Sequence, residues 1–417
     1  MEKALLIGVN TGKEEFEFRE EMQELASLCE ACEIEAADVI TQNLNSINPA
    51  TYVGSGKLKE IKTWIEGEEC DLIVANDELS PLQVRNLEKA LEVRVFDRTY
   101  VILEIFKKRA KTKEAILQVE LAAKKYMLPR LIGAHRDLSR QTGSVGGMHG
   151  RGGGEMQLEL DRRLISKQIN SIQKELQELK KLRQTQRSLR KKQDMKIVSL
   201  VGYTNSGKSS TLNALLDRSL AKKKEVLEKD MLFATLETST RLIKTEGQPA
   251  FLATDTVGFV NKLPHQLVEA FKSTLEEIAE ADLILHVVDA ANRNHEKQIE
   301  VTNRVLKELG ADKIPVICCF NKIDLLADFF IPPLPGKAVK ISAKNQTNID
   351  QLLWMISEEL FWDYLPVNLK LPYAKGDIYS LLKENAIIKS ERNEADFLRL
   401  EARVPERMFE IVRPYIE

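Results

Sequence analysis

The stretch KIVSLVGYTNSGKSST, residues 196–211, decides how this chain is read. Ile197–Val201 is a short apolar strand pattern, Ser210–Leu216 has helical spacing, and between them Gly202-Tyr203-Thr204-Asn205-Ser206-Gly207-Lys208-Ser209 fits G-x-x-x-x-G-K-[ST]. Strand, glycine-bounded loop and helix in that order make a phosphate cradle. The glycines let backbone N–H groups turn inward on an anion. The helix that starts at about Ser210 adds the positive partial charge of its N-terminus. Lys208 is expected to reach the β- and γ-phosphates, and the Ser209 hydroxyl to ligate Mg²⁺. A chance glycine-rich turn is the alternative, and the flanking strand and helix argue against it.

Working outward, Asn321-Lys322-Ile323-Asp324 follows the apolar run Val316–Phe320 at a strand end. There Asp324 can accept from guanine N1–H and its 2-amino group, a donor pair adenine lacks. A site built for such bonds rejects the analogue without them, because its carboxylate is left unpaired. The stem of Lys322 is expected to cover the base and Asn321 to tie this loop to the phosphate loop. Ser342-Ala343-Lys344 follows the strand-like Ala338–Ile341 and is expected to present a backbone N–H to guanine O6. Between these motifs, Asp255-Thr256-Val257-Gly258 follows Phe251–Ala253. Asp255 is placed to hold Mg²⁺, and the N–H of Gly258 to meet the γ-phosphate and release it on hydrolysis. Phe233-Ala234-Thr235-Leu236-Glu237 supplies Thr235 as the candidate second Mg²⁺ ligand, with Thr238 and Thr240 as competitors. Lys208, Thr235 and Gly258 are therefore the expected catalytic set, and GTP and GDP the expected ligands.

Two residues bear on mechanism. Phe259 stands where such enzymes often carry a glutamine that orients the attacking water. Either a partner completes the site or Phe259 simply packs. Asn205, inside the loop, can offer an amide oxygen to a monovalent cation such as K⁺, which would supply transition-state charge; the alternative is a polar residue tolerated in a tight turn.

Size and composition bound the rest. The chain has 417 residues, 43% hydrophobic and 30% charged, which suits a soluble protein of several domains. No apolar run approaches a membrane span, and the N-terminus has no signal-peptide pattern, so a cytoplasmic, monomeric protein is expected. The net charge of −2 does not by itself suggest a nucleic-acid binder. Five cysteines make no disulfide framework; Cys29 and Cys32 read as helix residues, and Cys70, Cys318 and Cys319 as core.

Strand and helix alternate over the first 110 or so residues: strands at Ala4–Val9, Asp71–Ala75 and Val93–Phe96, helices at Glu14–Cys32 and Leu82–Leu91. This implies a small α/β domain with a mainly parallel sheet. From 111 to 194 the pattern is a helical hairpin: a helix over Thr112–Met127 that Pro129 ends, a long glycine-rich loop over Gly133–Gly154, and a helix whose Ile165, Ile169, Ile172, Leu176 and Leu179 form a heptad seam. Arg136, Arg140, His149 and Arg151 in the loop make RNA contact plausible, though such charge is more often just solvated, and the loop has no aromatic residue for stacking. A second α/β domain runs over 195–362, and 363–417 is left as a small α/β element. Tyr52–Leu58, YVGSGKL, mimics a phosphate loop but has Thr51 for the first glycine and Leu58 for the hydroxyl residue, so it reads as a turn opening a helix.

These motifs together resemble the HflX family of translational GTPases. The marks are YVGSGKL, FDRT at Phe96–Thr99, GRGGGEMQLELDRR at Gly150–Arg163, GYTNSGKS, FATLE and DTVGF, with Gly154 standing where the family pattern has proline. The resemblance implies a multidomain α/β protein: an N-terminal α/β domain, a helical arm and a Ras-like G domain. It also implies binding to the large (50S) ribosomal subunit and ribosomal RNA, splitting or rescue of stalled ribosomes under stress, and ATP use through the N-terminal region in some members. A ribosome-assembly or RNA-modification GTPase, and a protein-binding switch without RNA contact, are the rival readings.

Overall fold

A computed structural model describes residues 2–68, 70–134, 151–192, 195–220, 239–262, 267, 277–333 and 336–417, with the side chains of 131–134, 151–158 and 182–192 outside the description. The described chain divides into two compact units, residues 2–185 with 260–262 and 267 in one, and the remainder in the other.

The first unit begins with β1 (Glu2–Asn10), α1 (Glu15–Ala31), β2 (Ile34–Asn43), α2 (Ser55–Glu68), β3 (Leu72–Ala75), α3 (Pro81–Leu91), β4 (Arg94–Asp97) and α4 (Arg98–Arg109). The sheet order is β2-β1-β3-β4 and every pairing is parallel. Crossover helices cover such a sheet, so β1 and β3 read as unbroken apolar runs. β2 and α4 are absent from the sequence reading. β2 is an edge strand, IEAADVITQN, mostly exposed, whose apolar residues Ile34, Ala36, Ala37, Val39 and Ile40 do not alternate strictly with polar ones. α3 opens on a capping box, Ser80 and Gln83 each accepting the other's backbone N–H.

The arm consists of α5 (Lys113–Ala134) and α6 (Arg151–Lys192). Leu117 and Leu121 pack against Ile169, Ile172, Leu176 and Leu179, and Lys113 pairs with Glu175 while Lys124 donates to Gln168, as antiparallel helices require. Two expectations are corrected here. Pro129 does not end α5 but lies inside it. A proline there forfeits a helix bond, and the turn is held instead by Arg130, which donates to Tyr126 O, Leu79 O and Asp97 Oδ2 and stacks on the Tyr126 ring. Gly152–Gly154 likewise are not loop but the first turn of α6. At a helix end the entropic penalty of glycine is smallest, because few intrahelical bonds depend on it. The rest of the glycine-rich segment, 135–150, lies outside the described residues.

Buried charge ties the arm to the N-terminal sheet. Asp97, fully buried, caps α4 through Tyr100 N and accepts from Leu79 N, Tyr126 Oη and Arg130. Neighbouring Arg98 donates to Glu24 at 2.7 Å and Asn76 at 3.0 Å. The FDRT motif is thus a joint.

The second unit holds β5 (Ile197–Val201), α7 (Lys208–Asp217), β6 (Ser239–Ile243), β7 (Phe251–Asp255), β8 (Leu283–Asp289), α8 (His295–Glu308), β9 (Val316–Asn321), β10 (Lys337–Lys340) and α9 (Ile349–Leu360). Sheet order is β10-β9-β8-β5-β7-β6, parallel except for β6. Val198, Leu200, Leu285 and Val287 pack on Leu212, Leu215, Leu352 and Ile356 of α7 and α9. Val288, Phe320 and Cys318 pack on Ile299 of α8. This is the Ras-like architecture, with its strand ends lined up beside the phosphate loop.

Residues past 363 resolve into β11 (Leu365–Pro372), α10 (Gly376–Asn385), β12 (Ile387–Asn393), β13 (Phe397–Val404) and α11 (Glu406–Val412) around an antiparallel sheet ordered β11-β13-β12. Val367, Leu369, Leu371, Leu398, Leu400 and Ala402 alternate onto one face, where Leu382, Met408 and Val412 cover them. Arg403 joins this element to α9, donating to Glu358 and to the carbonyls of Phe361, Trp362 and Tyr364 beyond its C-terminus.

Candidate nucleotide site

The site is assembled at the C-terminal ends of β5, β7, β8 and β9, where open α/β sheets leave a crevice. Gly202–Gly207 links β5 to α7. Gly202 has φ +149 and Gly207 φ +90. A Cβ on Gly202 would lie 2.1 Å from Val287 O, and one on Gly207 2.2 Å from Asn321 Nδ2. Glycine is therefore required twice over, by conformation and by close approach. Asn205, exposed, sits at φ +59, a region asparagine tolerates better than most residues.

Asn321 joins three motifs. Its Nδ2 donates to Ser206 O at 3.0 Å and its Oδ1 accepts from Ala343 N at 3.0 Å. Phosphate loop, N-K-x-D loop and S-A-K loop are thereby held in one frame. Ser342 Oγ donates to Asp324 Oδ1 at 2.6 Å and accepts from Asn345 N at 3.1 Å, which orients the carboxylate. Lys322 stands at φ +64 with its ammonium 2.8 Å from Asp289 Oδ2. Ile323 begins a short 3-10 turn, and Lys344 is exposed.

On the phosphate side, Lys208 is buried, and its Nζ donates to Tyr203 O at 2.9 Å and Gly202 O at 3.2 Å. Burial strips water from the ammonium and lowers its pKa to about 8, with Asp255 working against the shift. Ser209 Oγ donates to Asp255 Oδ2 at 2.6 Å, while Ser210 follows it in the first turn of α7. A hydroxyl and a carboxylate at that separation are the hard oxygen donors that Mg²⁺ takes, so these residues fit the ion. Thr256 Oγ1 donates to Leu200 O, and Val257 is buried. Gly258 packs on the loop so closely that a Cβ would meet Thr204 Cα at 2.8 Å and Lys208 Nζ at 2.9 Å. Phe259 is 1% exposed; its N–H donates to Gly202 O and its O accepts from Thr204 N. Its ring serves packing, and its backbone bridges the D-x-x-G segment to the phosphate loop.

Phe233, Ala234, Thr235, Leu236 and Glu237 lie outside the described residues, as do Arg136, Arg140 and His149; Arg151 starts α6, with its side chain outside the description. The sequence reading missed Asp289 and His286. His286 is buried on β8, level with Val201, and burial followed by the nearby Lys208 charge lowers its pKa to about 4. A histidine in an otherwise apolar strand, two turns of pleat before its end, was the available signal. Among the described residues there is no cluster of three or more His, Cys, Asp or Glu able to hold a metal. Burial also raises the thiols of Cys29 to about 12 and Cys32 to about 11.

Three family profiles match consecutive stretches of the chain. Those described as GTP-binding GTPase N-terminal, GTP-binding GTPase Middle Region and 50S ribosome-binding GTPase cover residues 19–107, 109–190 and 197–322. A GTPase HflX from Caldanaerobacter subterraneus subsp. tengcongensis is 44% identical over 416 residues, 100% of this chain and 94% of its own. One from Escherichia coli K12 is 40% identical over 394 residues, 93% and 90% of the two chains. A GTP-binding protein from Sulfolobus solfataricus, solved in complex with GDP, aligns over 86% of this chain and 99% of its own at 23% identity and a TM-score of 0.44. The enzyme is a GTP-hydrolysing P-loop protein, and by these matches along its length the chain belongs to the HflX family of GTPases.

Proposed function

We propose that this GTPase binds the large ribosomal subunit and uses GTP + H₂O → GDP + phosphate to split or rescue stalled ribosomes in the cytoplasm. The observation that carries the nucleotide part is the Asn321 cross-link, which holds the base-reading and phosphate-binding loops in one frame. Asp324 reads guanine, Lys322 covers it, and Ala343 and Lys344 close the pocket. Lys208 balances charge on the β- and γ-phosphates. Ser209 and Asp255, with Thr235, would hold Mg²⁺, which would supply positive charge against the charge that develops on the phosphates. Gly258 N–H senses the γ-phosphate. Asn205 is the residue to test for K⁺.

Ribosome binding is supported by the family profile over the G domain and by the basic residues of the glycine-rich segment, Arg136, Arg140, His149 and Arg151. Phe259, buried, offers no polar group to the attacking water. That leaves a catalytic part for the ribosome to supply. Among the described residues no helix is long and apolar enough to cross a membrane. The test is GTP turnover by the purified protein, alone and with large subunits, with co-sedimentation in the presence of a non-hydrolysable GTP analogue. Strong stimulation and co-sedimentation are expected. Neither being seen would remove the ribosome from the account and leave the GTPase standing.

A further inference from the structure

Asp289 ends β8 directly across from Asn321, the last residue of β9, and just beyond it Ala290 N–H donates to Asn321 O at 2.9 Å. β8 therefore delivers its last side chain beside the N-K-x-D loop. Both carboxylate oxygens of Asp289 are engaged: Oδ1 accepts from Ala291 N at 3.0 Å, and Oδ2 lies 2.8 Å from Lys322 Nζ. The first of these bonds is to backbone of the same loop, so it fixes the carboxylate whatever Lys322 does. Fully exposed ion pairs hold no single geometry and contribute little. Here the Lys322 and Asp289 side chains are 25% and 19% exposed, and one partner is already fixed.

Lys322 stands in the left-handed region, φ 64 and ψ 29, immediately before the 3-10 turn Ile323–Leu325 that carries Asp324. A residue other than glycine persists in that conformation where its surroundings hold it. On one side Asn321 is tied to Ser206 and Ala343, and on the other Asp324 receives the Ser342 hydroxyl. Lys322, between them, is anchored through its ammonium at Asp289. Its stem is apolar and its head charged, so the place where the head is held decides where the stem lies.

We infer that Asp289 is a positioning residue for the nucleotide base: it holds the Lys322 ammonium so that the stem lies ready against the face of the purine. A free lysine side chain samples many rotamers and must be frozen when the base arrives, whereas one already held has less freedom to lose. The stem meets a ring face and not a hydrogen-bonding edge. Its contribution is therefore common to purines of different edge chemistry, while Asp324 discriminates among them. The role assigned to Asp289 rests on the reading of Asn321–Asp324 as the guanine loop.

The test compares full-length wild type with Asp289→Asn, Lys322→Met and the double variant Asp289→Asn/Lys322→Met, each checked for a cooperative melt. GDP and IDP, whose base lacks the 2-amino group, are titrated as fluorescent analogues, and GTP turnover is followed at steady state. Asp289→Asn keeps an oxygen for Ala291 N–H and removes the charge, while Lys322→Met keeps an unbranched stem and removes the ammonium. Asp289→Asn is expected to weaken GDP and IDP alike by about five- to tenfold and to raise KM for GTP by a similar factor with kcat no lower. The double variant should bind no more weakly than Lys322→Met alone, because Asp289 acts through that ammonium. GDP affinity within about twofold of wild type in Asp289→Asn, additive losses in the double variant, or a lowered kcat at unchanged KM overturns the inference. Asp324→Ala run alongside separates the two readings. There GDP binding or its preference over IDP should be lost; both undiminished would sink the guanine-loop reading, whereas their loss beside an unaffected Asp289→Asn sinks the role of Asp289 alone.

Discussion

Replacing Asn321 by alanine should uncouple the nucleotide site while leaving the fold in place. The side chain makes two buried bonds, to Ser206 O and from Ala343 N, each 3.0 Å long. Its removal leaves a carbonyl and an N–H without partners in a buried place, and each such group costs about 1–3 kcal/mol. The sum, roughly 2–6 kcal/mol, is shared between folding and binding, because the loops can relax outward to reach water when no nucleotide is present. Nucleotide must then draw them back, so most of the cost falls on affinity. At ~1.4 kcal/mol per tenfold, GDP should bind about 10²-fold more weakly or worse, with a fall of only a few degrees in the melting temperature of the free protein. Titration of a fluorescent GDP analogue and thermal melts with and without GDP measure both parts. Gly207→Ala/Asn321→Ala adds a check: the 2.2 Å clash with Asn321 Nδ2 is relieved in the double variant but φ +90 persists, so the two changes should be less than additive. GDP affinity within about threefold of wild type for Asn321→Ala, with an unchanged melt, would refute the reasoning.

Lys208 titrates at about 8 in the folded, nucleotide-free protein against an ordinary 10.5. The unfolded chain therefore binds more protons between those values, and stability from this group rises as pH climbs from about 8 to 10.5; Lys208→Met should flatten that rise in a series of melts while abolishing nucleotide binding. His286, lowered to about 4 from 6.5, gives stability that is full above 6.5 and lost as pH falls toward 4. His286→Asn should make the melting temperature fall less steeply over that window, and an unchanged slope would place its titration elsewhere. Asp97→Ala strands the Arg130 guanidinium and the Tyr126 hydroxyl in a buried joint, so the N-terminal unit should lose about 3 kcal/mol or more in chemical denaturation. Faster hydrogen exchange in α5 should accompany it, and exchange unchanged there would show that the joint is held by other contacts.

Some of this was legible in the residues themselves. GYTNSGKS, DTVG, NKID and SAK each lie at the end of a strand whose apolar run is visible, and the chemistry of each is local: a glycine that must turn, a lysine that must reach, a carboxylate that must accept. The arm's seam showed as a 4-3-4-3 stride, and the alternation of strand and helix implied parallel sheets. β2 did not show, because an exposed edge strand is chosen by its pairing with β1 and not by its own hydrophobicity. Pro129 within α5 contradicted its local propensity, and only the Arg130 contacts with Asp97 and Leu79 explain it. The antiparallel sheet past 363 needed its covering helices before the alternation of Leu369, Leu371, Leu398 and Leu400 had a meaning. The joint at Asp97 lay beyond sequence reading altogether: Leu79, Asp97, Tyr126 and Arg130 come from separate stretches, and nothing about an acid, a tyrosine or an arginine in isolation says that folding will bring them within a hydrogen bond of one another. Sequence determines what a short segment can do chemically, because spacing along the chain sets which groups of one loop face one ligand. Tertiary structure decides which distant charges meet, because that depends on how sheets and helices pack, and packing energy is spread over contacts that no single motif contains.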